Sequence, residues 1–259
     1  MVEEIKSFKI DTAYNHINLH QQGGRLELRS DDNALQSLID LNKPHELGLR
    51  NLEHLMSVLL FIPQPQRILM LGTAAGSLLH YLRHHYPLAQ ITALDIDAEL
   101  IEKMLEMKIL PPAGNGLTYV YDDAACFIKA CDQSFDLILV DIFSGAQSPA
   151  WLIEKSAITA LYHRLGEHGA VAYNLLIDSE HDFKLFYRDL RLVFHRQTLC
   201  MPVKDYENTI ALAIRHPLVA REMAWYMQHA AEMSERFEID FLQILSVIYN
   251  TNPVGAGVL

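Results

Sequence analysis

Four short apolar runs, each ending in a glycine or an acid, constrain the fold of this chain more than any other feature. They are Arg67-Ile-Leu-Met-Leu-Gly72, Ile91-Thr-Ala-Leu-Asp95, Leu117-Thr-Tyr-Val-Tyr-Asp122-Asp123 and Phe135-Asp-Leu-Ile-Leu-Val-Asp141. Their Leu, Ile and Val run on continuously, the pattern of strands buried on both faces of a parallel sheet. Helical stretches separate them, so the unit repeats as strand, helix, strand. In open α/β sheets ligands bind outside the carboxyl ends of the strands, where Gly72, Asp95, Asp123 and Asp141 fall. A glycine turn with three carboxylates on one rim implies a nucleotide pocket.

Composition narrows the class. With 259 residues, half of them apolar, the chain can bury a large core without disulfide staples. A formal net charge of −11 argues against nucleic-acid or anionic-membrane partners, which call for clustered Lys and Arg. The longest apolar run, Leu55 to Ile62, ends at Pro63, well short of a membrane span. Met1-Val-Glu-Glu-Ile-Lys6 lacks the apolar core of a secretory signal. Cys126, Cys131 and Cys200 are odd in number and wrongly spaced for a metal knuckle. Reduced thiols packed in or near the core of a cytoplasmic protein are the expectation.

Ahead of the strand and helix repeat, Ile17 and Leu19 alternate with polar residues, Gln21-Gln-Gly-Gly24 turns, and Leu26 and Leu28 alternate back. This predicts a β-hairpin at the core of a small N-terminal sheet. Leu52, Leu55, Met56, Leu59 and Leu60 predict a helix over Pro44 to Ile62, stopped by Pro63 and Pro65. The expected division is an N-terminal unit at 1–64 and an α/β domain at 65–259, with a helical tail from about 217. Within the domain, helices are expected at Ala75 to Tyr86, Ala98 to Met107, Ala124 to Ala130, Pro149 to Leu165 and Lys184 to Phe194. Ala170 to Leu175 reads as a fifth strand. Gln197 to Cys200 and Thr209 to Ile214 read as two more, pairing antiparallel, and Leu218 to Tyr249 as two amphipathic helices. The predicted fold is α/β: a seven-stranded, Rossmann-type, methyltransferase-like sheet with a small N-terminal β-sheet and C-terminal helices.

In the turn Leu71-Gly-Thr-Ala-Ala-Gly-Ser77, Gly72 lets backbone approach a ligand and Gly76 lets the next helix start close by. The spacing departs from Gly-x-Gly-x-x-Gly, which disfavours a nicotinamide dehydrogenase. Asp95 can take both hydroxyls of a ribose. Asp123, with Ala124, is placed for an adenine amino group. Each acid alone also reads as a helix N-cap.

From Tyr14 to Ile214 these residues resemble the spermidine synthase-like aminopropyltransferases. The segment Leu28-Arg-Ser-Asp-Asp-Asn-Ala-Leu-Gln-Ser37 is similar to one in that family's N-terminal sheet, which implies that Gln36 touches the ribose. The resemblance carries the glycine turn onto Gly72 to Ser77, the ribose acid onto Asp95 and the adenine-side acid onto Asp123. It carries the catalytic aspartate onto Asp141 in Val140-Asp-Ile-Phe-Ser-Gly145, where a carboxylate can take a proton from an attacking amine or hydroxyl. It implies a homodimer, and it puts His54, with Glu53, near the donor pocket.

The departures bear on the reaction. Ala75 stands where the family has an acid in the glycine turn, and Ser144 where it has a second acid after the fourth strand. Met201-Pro-Val-Lys-Asp-Tyr-Glu-Asn-Thr209 lacks the family's aromatic polyamine loop, leaving Tyr206 and Asp205 as acceptor-side candidates. An ammonium without its carboxylate forfeits a charge-assisted bond of ~1.5–3 kcal/mol. That tilts the expectation from decarboxylated S-adenosylmethionine toward S-adenosylmethionine, and so toward methyl transfer to an unidentified small-molecule acceptor. The alternative is a genuine polyamine aminopropyltransferase. An alternative of another class is a non-catalytic nucleoside-binding or assembly protein. His80 and His84, four apart on one helix, and His45, Glu46, Glu53 and His54 have metal-like spacing, but 13 histidines make chance pairs common, and no metal is expected.

Overall fold

The computed structural model describes residues 6–31, 33–145, 147–217 and 221–252. The N-terminal sheet has four antiparallel strands in chain order, β1 (Lys6–Asp11), β2 (His16–Gln22), β3 (Arg25–Ser30) and β4 (Leu35–Asp40). The expected hairpin is β2 and β3, with Leu19 opposite Leu28. Its alternating apolar side chains are all buried. β1 escapes a reading by pattern because only Ile10 of its residues is buried.

The connector corrects the expected helix over Pro44 to Ile62. Only α1 (Arg50–Leu55) is α-helical, and a 3-10 segment, Met56–Leu60, follows it. Leu49 is extended, with φ −119° and ψ 127°, so helical geometry cannot begin before it. Gly48 packs on Leu38 so closely that a Cβ there would meet its side chain at 2.8 Å.

The second sheet has the order β10-β11-β9-β8-β5-β6-β7. Its strands and helices are β5 (Arg67–Leu71), α2 (Ser77–His85), β6 (Gln90–Asp95), α3 (Ala98–Glu106), β7 (Leu117–Tyr121), α4 (Ala124–Ala130) and β8 (Phe135–Val140), then α5 (Lys155–Arg164), β9 (Leu165–Leu175), α6 (Glu180–Val193), β10 (Thr198–Pro202) and β11 (Thr209–Ile214). β5 to β9 are parallel, and β11 runs antiparallel to both neighbours. Ile68 and Met70 of β5 enter one apolar cluster while Leu69 and Leu71 enter the other, which is why the run is apolar throughout. α2, α3 and the tail helices α7 (Met223–Phe237) and α8 (Phe241–Thr251) cover the first face, and α4, α5 and α6 the second. The N-terminal sheet's buried residues join the first cluster.

Three further differences have local causes. The helix expected from Pro149 to Leu165 breaks at Glu154, which is extended at φ −76° and ψ 145°, leaving a 3-10 segment Ala150–Ile153 before α5. Helix α6 begins before Lys184, at Glu180, because Ser179 caps it by accepting from the Asp182 amide. Cys126 is exposed rather than packed, since α4 buries Ala124 and Ile128 on its inner side. The tail start expected at Leu218 lies outside the described residues. Among the described residues no helix is long and apolar enough to cross a membrane.

Asp97, 1% exposed, joins the two sheets. Its carboxylate caps α3 through the Leu100 amide at 3.0 Å. The same group accepts from Thr12 Oγ1 at 2.5 Å and Asn15 Nδ2 at 2.7 Å, beyond the end of β1. Asp97→Ala should cost ~2–4 kcal/mol, combining a lost cap with two orphaned partners. A urea-unfolding midpoint unchanged in this variant would contradict that role.

Candidate active site

The strand order reverses between β5 and β8, the point where open α/β sheets form a ligand crevice. A cavity of about 600 Å³ opens there. Its tightest constraint is backbone on backbone. Gly72, at φ +91°, passes so near Asp141 that a Cβ would lie 2.1 Å from the Asp141 carbonyl oxygen. The Asp141 amide donates to the Leu71 carbonyl at 2.9 Å, and the Gly72 amide to Leu94 at 2.9 Å. The close approach admits only glycine and fixes the start of the turn against the base of the next loop.

Gln36, Gly72, Asp95, Asp123, Ala124, Asp141, Ser144 and Tyr206 all line this cavity. Ala75, Gly76 and His54 do not. Ala75 is fully buried in the apolar cluster with Leu79 and Leu82, and the turn residues open to the cavity are Thr73 and Ala74. Gly76, at φ +86°, is needed for packing: a Cβ there would strike the Leu110 side chain at 2.2 Å. His54 is buried, with Nδ1 2.9 Å from the Arg50 carbonyl oxygen. Burial holds its pKa below the usual imidazole value, so the neutral ring donates that bond. Glu53 does not line the cavity either. Burial, with the nearby Asp240 charge at the start of α8, raises its carboxyl pKa.

The carboxylates of the rim have structural partners as well. Asp95 Oδ2 accepts from the Thr73 amide at 2.8 Å and the Ala74 amide at 3.2 Å, and Oδ1 from the Asp97 amide at 3.0 Å. It therefore shapes the turn, holding Ala74 at φ +45°, and keeps part of its accepting capacity for a ligand. Asp123 caps α4 by accepting from the Ala125 amide at 2.6 Å while still facing the cavity.

Asp141 is held differently. Its Oδ1 accepts from Asn174 Nδ2 at 2.8 Å, and Asn174 Oδ1 accepts from Asn208 Nδ2 at 2.8 Å. Burial pushes the Asp141 carboxyl up to about 6, and the Asn174 bond partly opposes that. Neither asparagine was flagged by the sequence reading. The available signal was a lone amide in the otherwise apolar Ala170 to Leu175 run. Trp151, Asn51 and Glu207 are further lining residues that carried no motif. Among the described residues no three His, Cys, Asp or Glu side chains converge on a point that could hold a metal ion. His84 instead stacks on His45, with ring centroids 4.0 Å apart, and His80 bonds the Ile109 carbonyl at 2.7 Å.

The raised Asp141 pKa has a stability consequence of definite sign. The folded chain keeps a proton that the unfolded chain releases nearer 3.8. Ionising Asp141 thus opposes folding, and stability falls as pH rises from about 4 through 6, by up to ~3 kcal/mol. Asp141→Asn removes that slope and should gain on the wild type between pH 4 and pH 7 in denaturant unfolding. A constant difference between the two proteins across this window would contradict the shift.

The spermine/spermidine synthase domain matches residues 50–210. The polyamine aminopropyltransferase of Chromobacterium violaceum is 26% identical over 245 residues, covering 95% of this chain and 94% of that one. Among solved structures, a probable spermidine synthase from Corynebacterium glutamicum superposes with a TM-score of 0.75 at 19% identity, covering 87% of each chain. A spermidine synthase in complex with the transition-state analogue AdoDATO gives 0.67 at 15% identity, covering 93% of this chain and 84% of that one. At such identities the two structures speak for the fold alone. With more than half of its length matched, the chain belongs to the spermine/spermidine synthase domain family of transferases, on a methyltransferase-like fold.

Proposed function

We propose that this chain transfers an aminopropyl group from decarboxylated S-adenosylmethionine to an amine of a polyamine. The observation that carries this reading is the charge of the cavity. Asp95, Asp123, Asp141 and Glu207 line it, and among the described residues no lining residue is Lys, Arg or His. The decarboxylated donor carries a sulfonium and an ammonium. S-adenosylmethionine adds a carboxylate, which would find only like charges there. Polyamine acceptors are cationic too. The curated relatives are named polyamine aminopropyltransferases, which supports the same choice.

Methyl transfer from S-adenosylmethionine is the second reading, suggested by Ala75 and Ser144 in place of family acids. The Ala75 side chain, however, lies in the core and not in the cavity. Ser144 does line the cavity and remains a neutral residue on the acceptor side.

In the proposed reaction, Gln36 and Asp95 meet the ribose, Asp123 and Ala124 the adenine, and Tyr206 the acceptor. A neutral amine attacks the propyl carbon in line with the C–S bond. The N–C bond forms, the C–S bond breaks, and the sulfonium leaves as the neutral thioether methylthioadenosine. The new ammonium loses its proton to Asp141, whose pKa near 6 keeps it ionised at neutral pH. Alignment supplies much of the rate, because the leaving group is already activated. The resemblance to the family also makes a homodimer part of this reading.

The test is product formation with decarboxylated S-adenosylmethionine and putrescine, against S-adenosylmethionine with the same amine. Spermidine and methylthioadenosine are expected from the first mixture. Asp141→Asn should lower turnover ~10²–10⁴-fold with little change in donor affinity. Methylated amine from the second mixture, with no spermidine from the first, would replace this reading with methyl transfer.

A further inference from the structure

β9 is otherwise apolar from Ala170 to Leu175, yet Asn174 within it is completely buried. A buried amide costs free energy unless its polar atoms are paired. The partners of the Asn174 side chain are Asp141, to which it donates, and Asn208, from which it accepts. The direction is forced. A carboxylate has no proton to give, so the nitrogen of Asn174 must face Asp141 and its oxygen must face the NH₂ of Asn208. Asn208, 7% exposed, closes the loop between β10 and β11 by accepting from the Val203 amide at 3.0 Å. That loop carries Tyr206 and Glu207 to the cavity wall.

Resting on the reading above, in which Asp141 takes the acceptor's proton, we propose that Asn174 is a positioning residue. Locked by Asn208, it pins one oxygen of Asp141 and leaves Oδ2 to receive that proton. The two carboxamides tie the loop on the acceptor side to the proton acceptor, so the loop's seating and the carboxylate's orientation are set together. Around the same cavity the titratable groups are Asp95 at the end of β6, Asp123 at the cap of α4, Tyr14 beyond β1, and Tyr206 and Glu207 in the hairpin loop. Burial is the main cause of the raised Asp141 carboxyl, and the Asn174 bond opposes it.

The experiment compares wild type, Asn174→Leu and Asn208→Ala by two readouts. The first is an NMR titration of ¹³C-carboxyl-labelled aspartate in the ligand-free protein, with Asp141→Asn assigning the signal. Losing a hydrogen bond to the charged form should raise the Asp141 midpoint by about one unit in Asn174→Leu, and by less in Asn208→Ala. The second is the pH profile of kcat/KM with decarboxylated donor and putrescine. Its acid limb should move up by the same amount, kcat should fall about 10–100-fold, and donor KM should stay within about twofold. A midpoint unmoved in folded Asn174→Leu overturns the proposal, as does a lower rate with an unchanged profile. If Asn174→Leu does not fold, an unmoved midpoint in Asn208→Ala overturns it. The titration needs no turnover, so a wild type inactive with these substrates would defeat the functional reading while the titration still decides the relay.

Discussion

The contact between Gly72 and the Asp141 backbone is the constraint around which the site is organised. Two parallel neighbours, β5 and β8, send their chains to opposite sides of the sheet, and the crevice between them exists because nothing protrudes from Gly72. The turn and the loop therefore start from one shared backbone contact. From there Asp95 gathers the turn's amides, and Asp97 ties the same corner to the N-terminal sheet. At the end of the cavity near Asp95 and Asp123 the acids are bonded to backbone amides. The end near Asp141 is held by side-chain amides instead.

This division bears on the chemistry. Asp95 and Asp123 accept from backbone amides, and those bonds fix where their carboxylates sit. Asp141 has one side-chain amide donor instead, and burial raises its carboxyl to about 6. One cavity thus contains acids held by backbone amides and an acid held by a side-chain amide.

Much of this was legible in the chain. The apolar runs announced the strands because burial on both faces leaves no room for alternation, and the rim acids followed from where those runs ended. What escaped the pattern was set by tertiary contact. Leu49 and Glu154 are extended where helical spacing continued through them, and Gly48 yields to Leu38. Ala75 and Gly76 lie in a motif associated with ligands but turn into the core, which one-dimensional spacing cannot reveal. Asn174 and Asn208 are 34 residues apart, and their meaning appears only when β9 and β11 pair. The expectation of methyl transfer has that origin in part: Ala75 faces the core, whereas Ser144 does line the cavity.

The central claim is that a cavity lined, among the described residues, by four carboxylates and no basic residue selects the more cationic donor. Calorimetric titration of the wild-type protein with decarboxylated and with ordinary S-adenosylmethionine, at the same pH and low salt, tests it most directly. One avoided carboxylate repulsion of ~1.4 kcal/mol or more corresponds to at least about tenfold tighter binding of the decarboxylated form. Equal affinities, or tighter binding of ordinary S-adenosylmethionine, would contradict the account.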